Sequence, residues 1–328
     1  MKVNKLILLF AALFIGLASL HGQYRWDVGI ASGTGNYLGD IGGDELDGRD
    51  LFFDLHLDQT KFSSHLFARY RFNNTTSVRF SLGTVFIEDT DAASTNPGRA
   101  ARNAHFRNTI YEGSVRVQGV LWARPNLLPY KYRRHVSGEV YGIGGLTYFM
   151  HNPQARMTRE ATEGLYEAGL INKNPDSFDY DLWYDLRGYQ TEGRAYSRSS
   201  FAIPLGVGAG FTLNKYWRLG LEMVWSVTFT DFLDDLSTTY ADTENLTDIE
   251  IILSRPSGLP NSPGSQRGSP DRNDAFGTLQ VSISKIIKYQ SDFSKQSFGK
   301  GKEETNGWTF PRGGDEPRIY NRKGRRRF

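Results

Sequence analysis

The densest run of chemically capable side chains is TFTDFLDDLSTTYAD, Thr228–Asp242. Asp231, Asp234 and Asp235 could together offer oxygen ligands to a hard cation. The run lacks the glycine and closing glutamate of a calcium loop, which favours another reading. In that reading Thr230 or Asp231 caps a short helix with an acidic first turn. A second run, GTGNYLGDIGG (Gly33–Gly43), offers glycine amides to a phosphate, but no Lys-Ser/Thr follows it and it reads as a strand end and turn. The histidines, His21, His56, His65, His105, His135 and His151, have no ligand spacing to one another and adjoin no G-x-S-x-G. They read as solvated loop residues; His105 or His151 paired with a loop serine would be the hydrolytic alternative. These patterns predict no catalytic residues, no cofactor, no metal and no small-molecule substrate.

The elements that would carry these residues are strands. FAIPLGVGAGFTLNKYWRLGLEMVW, Phe201–Trp225, alternates apolar and small or polar residues on both sides of Asn214-Lys215. Period-two alternation around a short polar turn is the mark of a β-hairpin. The same pattern predicts eight strands, near residues 24–36, 62–72, 76–88, 106–122, 133–150, 200–213, 216–230 and 274–288. Short connections follow the second, fourth and sixth strands, whereas the others run to about 25, 17, 49 and 43 residues. Strict alternation of brief turns with long loops, over an even strand number, predicts an eight-stranded antiparallel transmembrane β-barrel with both termini on the short-turn, periplasmic side.

The two faces of these strands differ in kind. Arg69, Arg71, Arg79, Glu112, Arg116, Glu139, Arg218 and Glu222 share the polar face. An arginine facing lipid at mid-bilayer costs about 2–4 kcal/mol, so these charges must be enclosed or, in a soluble sandwich, face water. The apolar face is aliphatic at mid-strand, with Trp122, Tyr148, Trp217, Trp225 and Phe229 near strand ends, as an interfacial girdle requires. The barrel is therefore expected to be greasy outside and to hold a salt-bridged plug inside, with Gly206, Gly208 and Gly210 leaving room for long side chains.

The ends complete the organisation. Residues 1–22 carry Lys2 and Lys5, then an apolar run from Leu6 to Leu20, as in a secretory signal peptide. The chain has no cysteine, which excludes disulfides and an acylated-cysteine anchor. Its net charge of +3 divides into +2 in the leader, +5 in residues 289–328 and about −4 in the barrel segment 23–288. The basic tail combines Trp308 and Phe310 with Arg325, Arg326 and Arg327, residue types that dominate binding hot spots. With Arg124 and Tyr130 of the Ala123–Arg133 turn, these are the candidate partner contacts. The tail is expected to be flexible, and nucleic acid is not an expected partner of an exported chain. Ser254–Asn273, rich in Pro, Gly and Ser, predicts a mobile outer loop. The aromatic-bearing segment Met150–Ser199 is expected to be partly ordered over the mouth.

Three stretches together resemble one family. WDVGIASGTGNYLGDIGG (Trp26–Gly43) is similar to its first strand and NYxGDIG corner, and FRNTIYEGSVRVQG (Phe106–Gly119) to its fourth strand. Ile203–Asp242 resembles its late hairpin and TDYLDDVSTTY signature, here with Phe232 for Tyr and Leu236 for Val. The family is the PorG-like outer-membrane barrels of the type IX secretion system of Bacteroidota. The resemblance implies an outer-membrane protein that ties a periplasmic ring of the secretion and gliding machinery to the membrane. The alternative is a surface barrel that binds a ligand or host factor through its outer loops.

Overall fold

The structure is a computed structural model that describes residues 26–42, 59–124, 137–214, 216–270 and 272–287. The leader 1–22, His56, His135, Tyr130, Trp308, Phe310, Arg325, Arg326, Arg327 and the tail lie outside the described residues.

Eight long strands form where the period-two pattern places them: β1 (Trp26–Leu38), β2 (Lys61–Arg71), β3 (Thr76–Thr90), β4 (His105–Arg124), β5 (Ser137–Met150), β6 (Ser199–Thr212), β7 (Trp217–Thr228) and β8 (Ala275–Ile286). Each pairs antiparallel with its neighbours in sequence. β8 returns to β1 with Ile283 opposite Ile30, so the sheet closes into a barrel with no free edge. The connections are 72–75, 125–136 and 213–216 at one end, and 39–60, 91–104, 151–198 and 229–274 at the other. Two of the short turns use one device. The Asn73 carboxamide oxygen accepts from the Thr75 and Thr76 amides at 2.9 and 2.7 Å. Asn214 does the same for Tyr216 and Trp217 at 2.8 and 3.0 Å. An asparagine that bonds its own backbone two and three residues on fixes the reversal locally.

The exterior is the apolar face. Leu66, Leu82, Val115, Val207, Leu221 and Val281 form an exposed belt, with Leu82 70% exposed. Aromatic rings bound it at both ends: Trp26, Trp122, Phe211 and Trp217 at the turn side, Phe62, Phe86, Tyr111, Tyr148, Phe201 and Phe229 at the loop side. Such a surface is stable against hydrocarbon with its rings at the two interfaces, and not against water.

The interior is divided along the barrel axis. Its turn-side half is polar and ionised. Its loop-side half is an apolar core of Val85, Ile87, Phe106, Ile110, Phe149 and Phe276, closed from above by Ile41, Leu233 and Leu236. The loops build on it with α1 (Pro97–Arg102), α2 (Arg159–Glu167), α3 (Asp248–Ser254) and two short strands, Pro153–Ala155 and Tyr184–Asp185. A separate cluster of Met157, Leu165, Ile171, Leu186, Ile251 and Ile252 holds α2 and α3 together.

Candidate functional site

The structure brings the eight charged residues of the polar face together inside the barrel. Arg69 holds Asp27 through two bonds, Nε to Oδ2 at 3.0 Å and Nη2 to Oδ1 at 2.9 Å. Arg79, fully buried, pairs with Glu222, which also accepts from Gln118 at 3.0 Å and from the Tyr141 hydroxyl at 2.8 Å. Arg116 reaches Glu112 at 2.8 Å. His65 donates at Nε2 to Glu112 at 2.8 Å and accepts at Nδ1 from Gln280 at 2.7 Å. Glu139 lies between Arg71, at 2.7 Å, and Arg218. Strand registers put these partners at matching heights, and Gly208 and Gly210 make the space. A Cβ on Gly208 would stand 2.5 Å from the Tyr141 ring, and one on Gly210 would stand 2.2 Å from the Arg218 guanidinium. Five guanidiniums thus face four carboxylates, and most are enclosed and hydrogen-bonded. Sequence reasoning missed Asp27 and His65, and it left Gln118, Tyr141 and Gln280 on the polar faces of their strands without a partner. All five fall on the inward phase of their strands, which was the available signal.

The loop-side mouth is the second polar site, and there the structure departs from expectation. Phe229–Asp242 forms no helix. The segment instead drops into the mouth and buries Leu233 and Leu236 on the apolar core. Of its aspartates, expected as a cap or a cation cluster, Asp234 and Asp235 bind other elements instead. The Tyr37 hydroxyl lies 2.6 Å from Asp234 Oδ2 and 2.7 Å from Asp274 Oδ1, and it accepts from the Asp40 amide at 2.8 Å. Asp274 and Asp234 each take a further amide, from Leu233 and Leu236 at 2.9 Å. One hydroxyl proton cannot serve two carboxylates, so one of the pair is itself protonated; burial and the neighbouring aspartate charges push both carboxyls well above the usual range. Asp235, at a left-handed φ of 70°, accepts from Tyr196 at 2.7 Å and from Thr191. Among the described residues no group of three acidic or histidine side chains is placed to hold a metal ion.

Asp231 differs from these three. Neither of its buried carboxylate oxygens has a donor in full hydrogen-bond geometry, the nearby Ser237 hydroxyl included. Burial pushes its carboxyl up to about 7; Ser237 opposes this, while Asp40 and Glu192 add to it.

Two further expectations are corrected at the mouth. His151, read as solvated, is buried against the Phe149 and Tyr196 rings, and burial pulls it down to about 4, so it stays neutral. His65 is likewise enclosed, within β2. The Ser254–Asn273 segment, read as mobile, folds back with Arg255 and Arg267 buried. Arg267 bonds Glu192 and the Asp235 carbonyl at 3.0 and 2.7 Å. Glu192 in turn accepts the Ser237 and Thr238 amides, both at 3.0 Å. Arg102 ties Asp91 to the carbonyls of Asp40 and Arg267. All four loops are thus stitched to one another. Of the candidate partner contacts only Arg124 is described, exposed at the turn end of β4.

A closed eight-stranded barrel with an apolar, aromatic-girdled wall and an ionised interior defines a membrane β-barrel of the outer-membrane type. No family model and no curated protein matches the chain. Among solved structures it is similar to the attachment invasion locus protein Ail of Yersinia pestis, in complex with the heparin analogue sucrose octasulfate. The identity is 13% and the TM-score 0.31, over 80% of this chain and 100% of that one. It is also similar to the outer membrane protein OprG of Pseudomonas aeruginosa, at 11% identity and a TM-score of 0.33 over 82% and 97% of the two chains. The closed sheet and its lipid-compatible wall, and not likenesses of this size, are the grounds for the class.

Proposed function

We propose that this barrel is a non-enzymatic membrane anchor, a PorG-like component that ties a periplasmic assembly of a type IX secretion apparatus to the outer membrane. The observation that carries the reading is the filled interior. An ion-pair network occupies the turn-side half and an apolar core the loop-side half, an arrangement suited to a rigid anchor and not to a conduit. The particular apparatus rests on the resemblance of Trp26–Gly43, Phe106–Gly119 and Ile203–Asp242 to the PorG-like family. In this reading the short turns, with Arg124, and the basic tail face the periplasm and hold the ring proteins. Removing residues 291–328 should release those proteins from the purified barrel in a pull-down read by mass spectrometry, with the barrel still folded. Unchanged co-purification refutes the tail's part.

A cavity of about 420 Å³ at the mouth supports a second reading, a surface barrel that takes a ligand. Arg99, Arg102, Tyr240, Leu259 and Arg267 are among its walls. Secretion that continues after deletion of the gene favours this reading over the first.

A further inference from the structure

On the outer wall, just beyond the loop-side girdle, two guanidiniums share one indole. The Arg107 guanidinium lies 3.9 Å from the Trp183 ring centroid and that of Arg156 lies 4.6 Å from it. Among the described residues neither arginine has an ion-pair partner, although like charges this close repel. The carboxylates nearby are already engaged: Glu88 by Lys61 at 3.0 Å and His105 at 3.3 Å, Asp185 by Asn152 at 2.7 Å and by Gln154. Arg107 keeps one neutral bond, to Gln154 at 2.9 Å. Two cations on an aromatic plate, neither in contact with a carboxylate although Glu88 and Asp185 lie close enough to act on Arg107, form a receptor for an added anion.

The height of this pair on the wall indicates which anion. Arg107 pairs with Glu88, and Phe86 of the girdle pairs with Thr109, one outward position closer to the membrane centre. At about 3.4 Å per residue along strands tilted about 40°, the cations therefore stand about 5 Å beyond the girdle, at headgroup level. Six positions below Arg107 on the same strand, Gly113 lies opposite Leu82 and opens a shallow groove of about 760 Å³ in the wall. Its floor is Ala68 and Gly113, and Ile30, Leu66, Phe80 and Leu82 rise around it. Gly113 has no side chain to fill the space, and a Cβ there would come 3.2 Å from Leu82 Cδ2. Six residues span about 20 Å along the tilted strand, or about 15 Å of depth, which brings the groove about 10 Å below the girdle and within the acyl region of one leaflet, since half of the hydrocarbon core is about 15 Å.

We propose that β2, β3 and β4, with Arg156 of the 151–198 loop, carry a specific site for a lipid of the loop-side leaflet that bears a terminal phosphate monoester, its phosphate on Arg107 and Arg156 and an acyl tail in the groove over Ala68 and Gly113. The site goes beyond the anchoring reading and requires only that the apolar wall face lipid.

The test is native mass spectrometry of the full chain released from detergent with bound lipid. Phosphatidic acid and phosphatidylcholine of matching acyl chains serve as probes, and inorganic phosphate as competitor. Phosphatidic acid should be retained about tenfold better than phosphatidylcholine, the worth of one charge-assisted hydrogen bond. R107Q/R156Q should abolish that preference, and A68L/G113L should weaken retention of both lipids. Equal retention of the two lipids, a preference that survives R107Q/R156Q, retention unchanged in A68L/G113L, or displacement by free phosphate each overturns the proposal. Heat-dependent gel migration reports folding of each variant, and R156Q alone, at an exposed position, replaces the double variant if that one does not fold.

Discussion

Asp231 is a buried carboxyl with no full hydrogen bond and only a weak pull from the Ser237 hydroxyl, so it binds its proton more tightly in the folded chain than in the unfolded one. Stability from such a group is present at low pH and falls as pH climbs from the ordinary 3.8 towards about 7. Asp231→Asn should flatten that part of the stability–pH curve and leave the variant the more stable protein at about pH 8, as measured by denaturant titration in detergent. A slope identical to the parent's refutes the assignment. Glu222 has the opposite character, because Arg79, Gln118 and Tyr141 all converge on it. Glu222→Leu would leave the fully buried Arg79 without its anion, at a cost of about 3–5 kcal/mol. Adding Arg79→Met should recover most of the loss, since the cost belongs to the stranded charge.

At the scale of elements, the strands were legible and the mouth segment was not. Period two survives in isolation because it needs only a wet or ionised side and an apolar side. The Asn73 and Asn214 turns are equally local, and Asn214→Ala should cost about 1 kcal/mol in refolding measurements. The 229–242 segment carries helix-capping residue types, but its side chains are claimed from far along the chain. Tyr37 takes Asp234, Tyr196 and Thr191 take Asp235, and the barrel's apolar core takes Leu233. Tertiary partners therefore override a local propensity here. Leu233→Ala should cost about 2–5 kcal/mol and speed proteolysis within residues 229–274, because this side chain pins the loop to the barrel. One local signal was passed over. Thr247-x-x-Glu250 before Ile251-Ile252-Leu253 is a capping box, and both of its reciprocal bonds form at the start of α3.

For the molecule as a whole, one division governs the rest: lipid-compatible side chains outward, ionised and hydrogen-bonded side chains inward. Leu82→Arg, at an exposed mid-strand position, should therefore destabilise the membrane-inserted barrel by about 2–4 kcal/mol. The same substitution on a water-facing wall would cost almost nothing, so the measurement tests the orientation of the entire sheet. The filled lumen carries a further expectation, that the purified barrel in a planar bilayer shows no steady open conductance. A stable pore would contradict the plug formed by Arg79, Glu222, Arg116 and Glu112 with the core above them.

The amino-acid sequence alone determined the strand count, the alternation of short and long connections and the shared face of Arg69, Arg71, Arg79, Glu112, Arg116, Glu139, Arg218 and Glu222. Each of these follows from side-chain periodicity within one strand or hairpin, where neighbours in sequence are also neighbours in space. Only the tertiary structure decided which carboxylate meets which guanidinium and that the loop-side half of the lumen is apolar. The same is true of Asp234 and Asp235, which tie the mouth segment to Tyr37, Thr191 and Tyr196. Those outcomes depend on registers and contacts between residues as far apart as Tyr37 and Asp274, which no local pattern encodes.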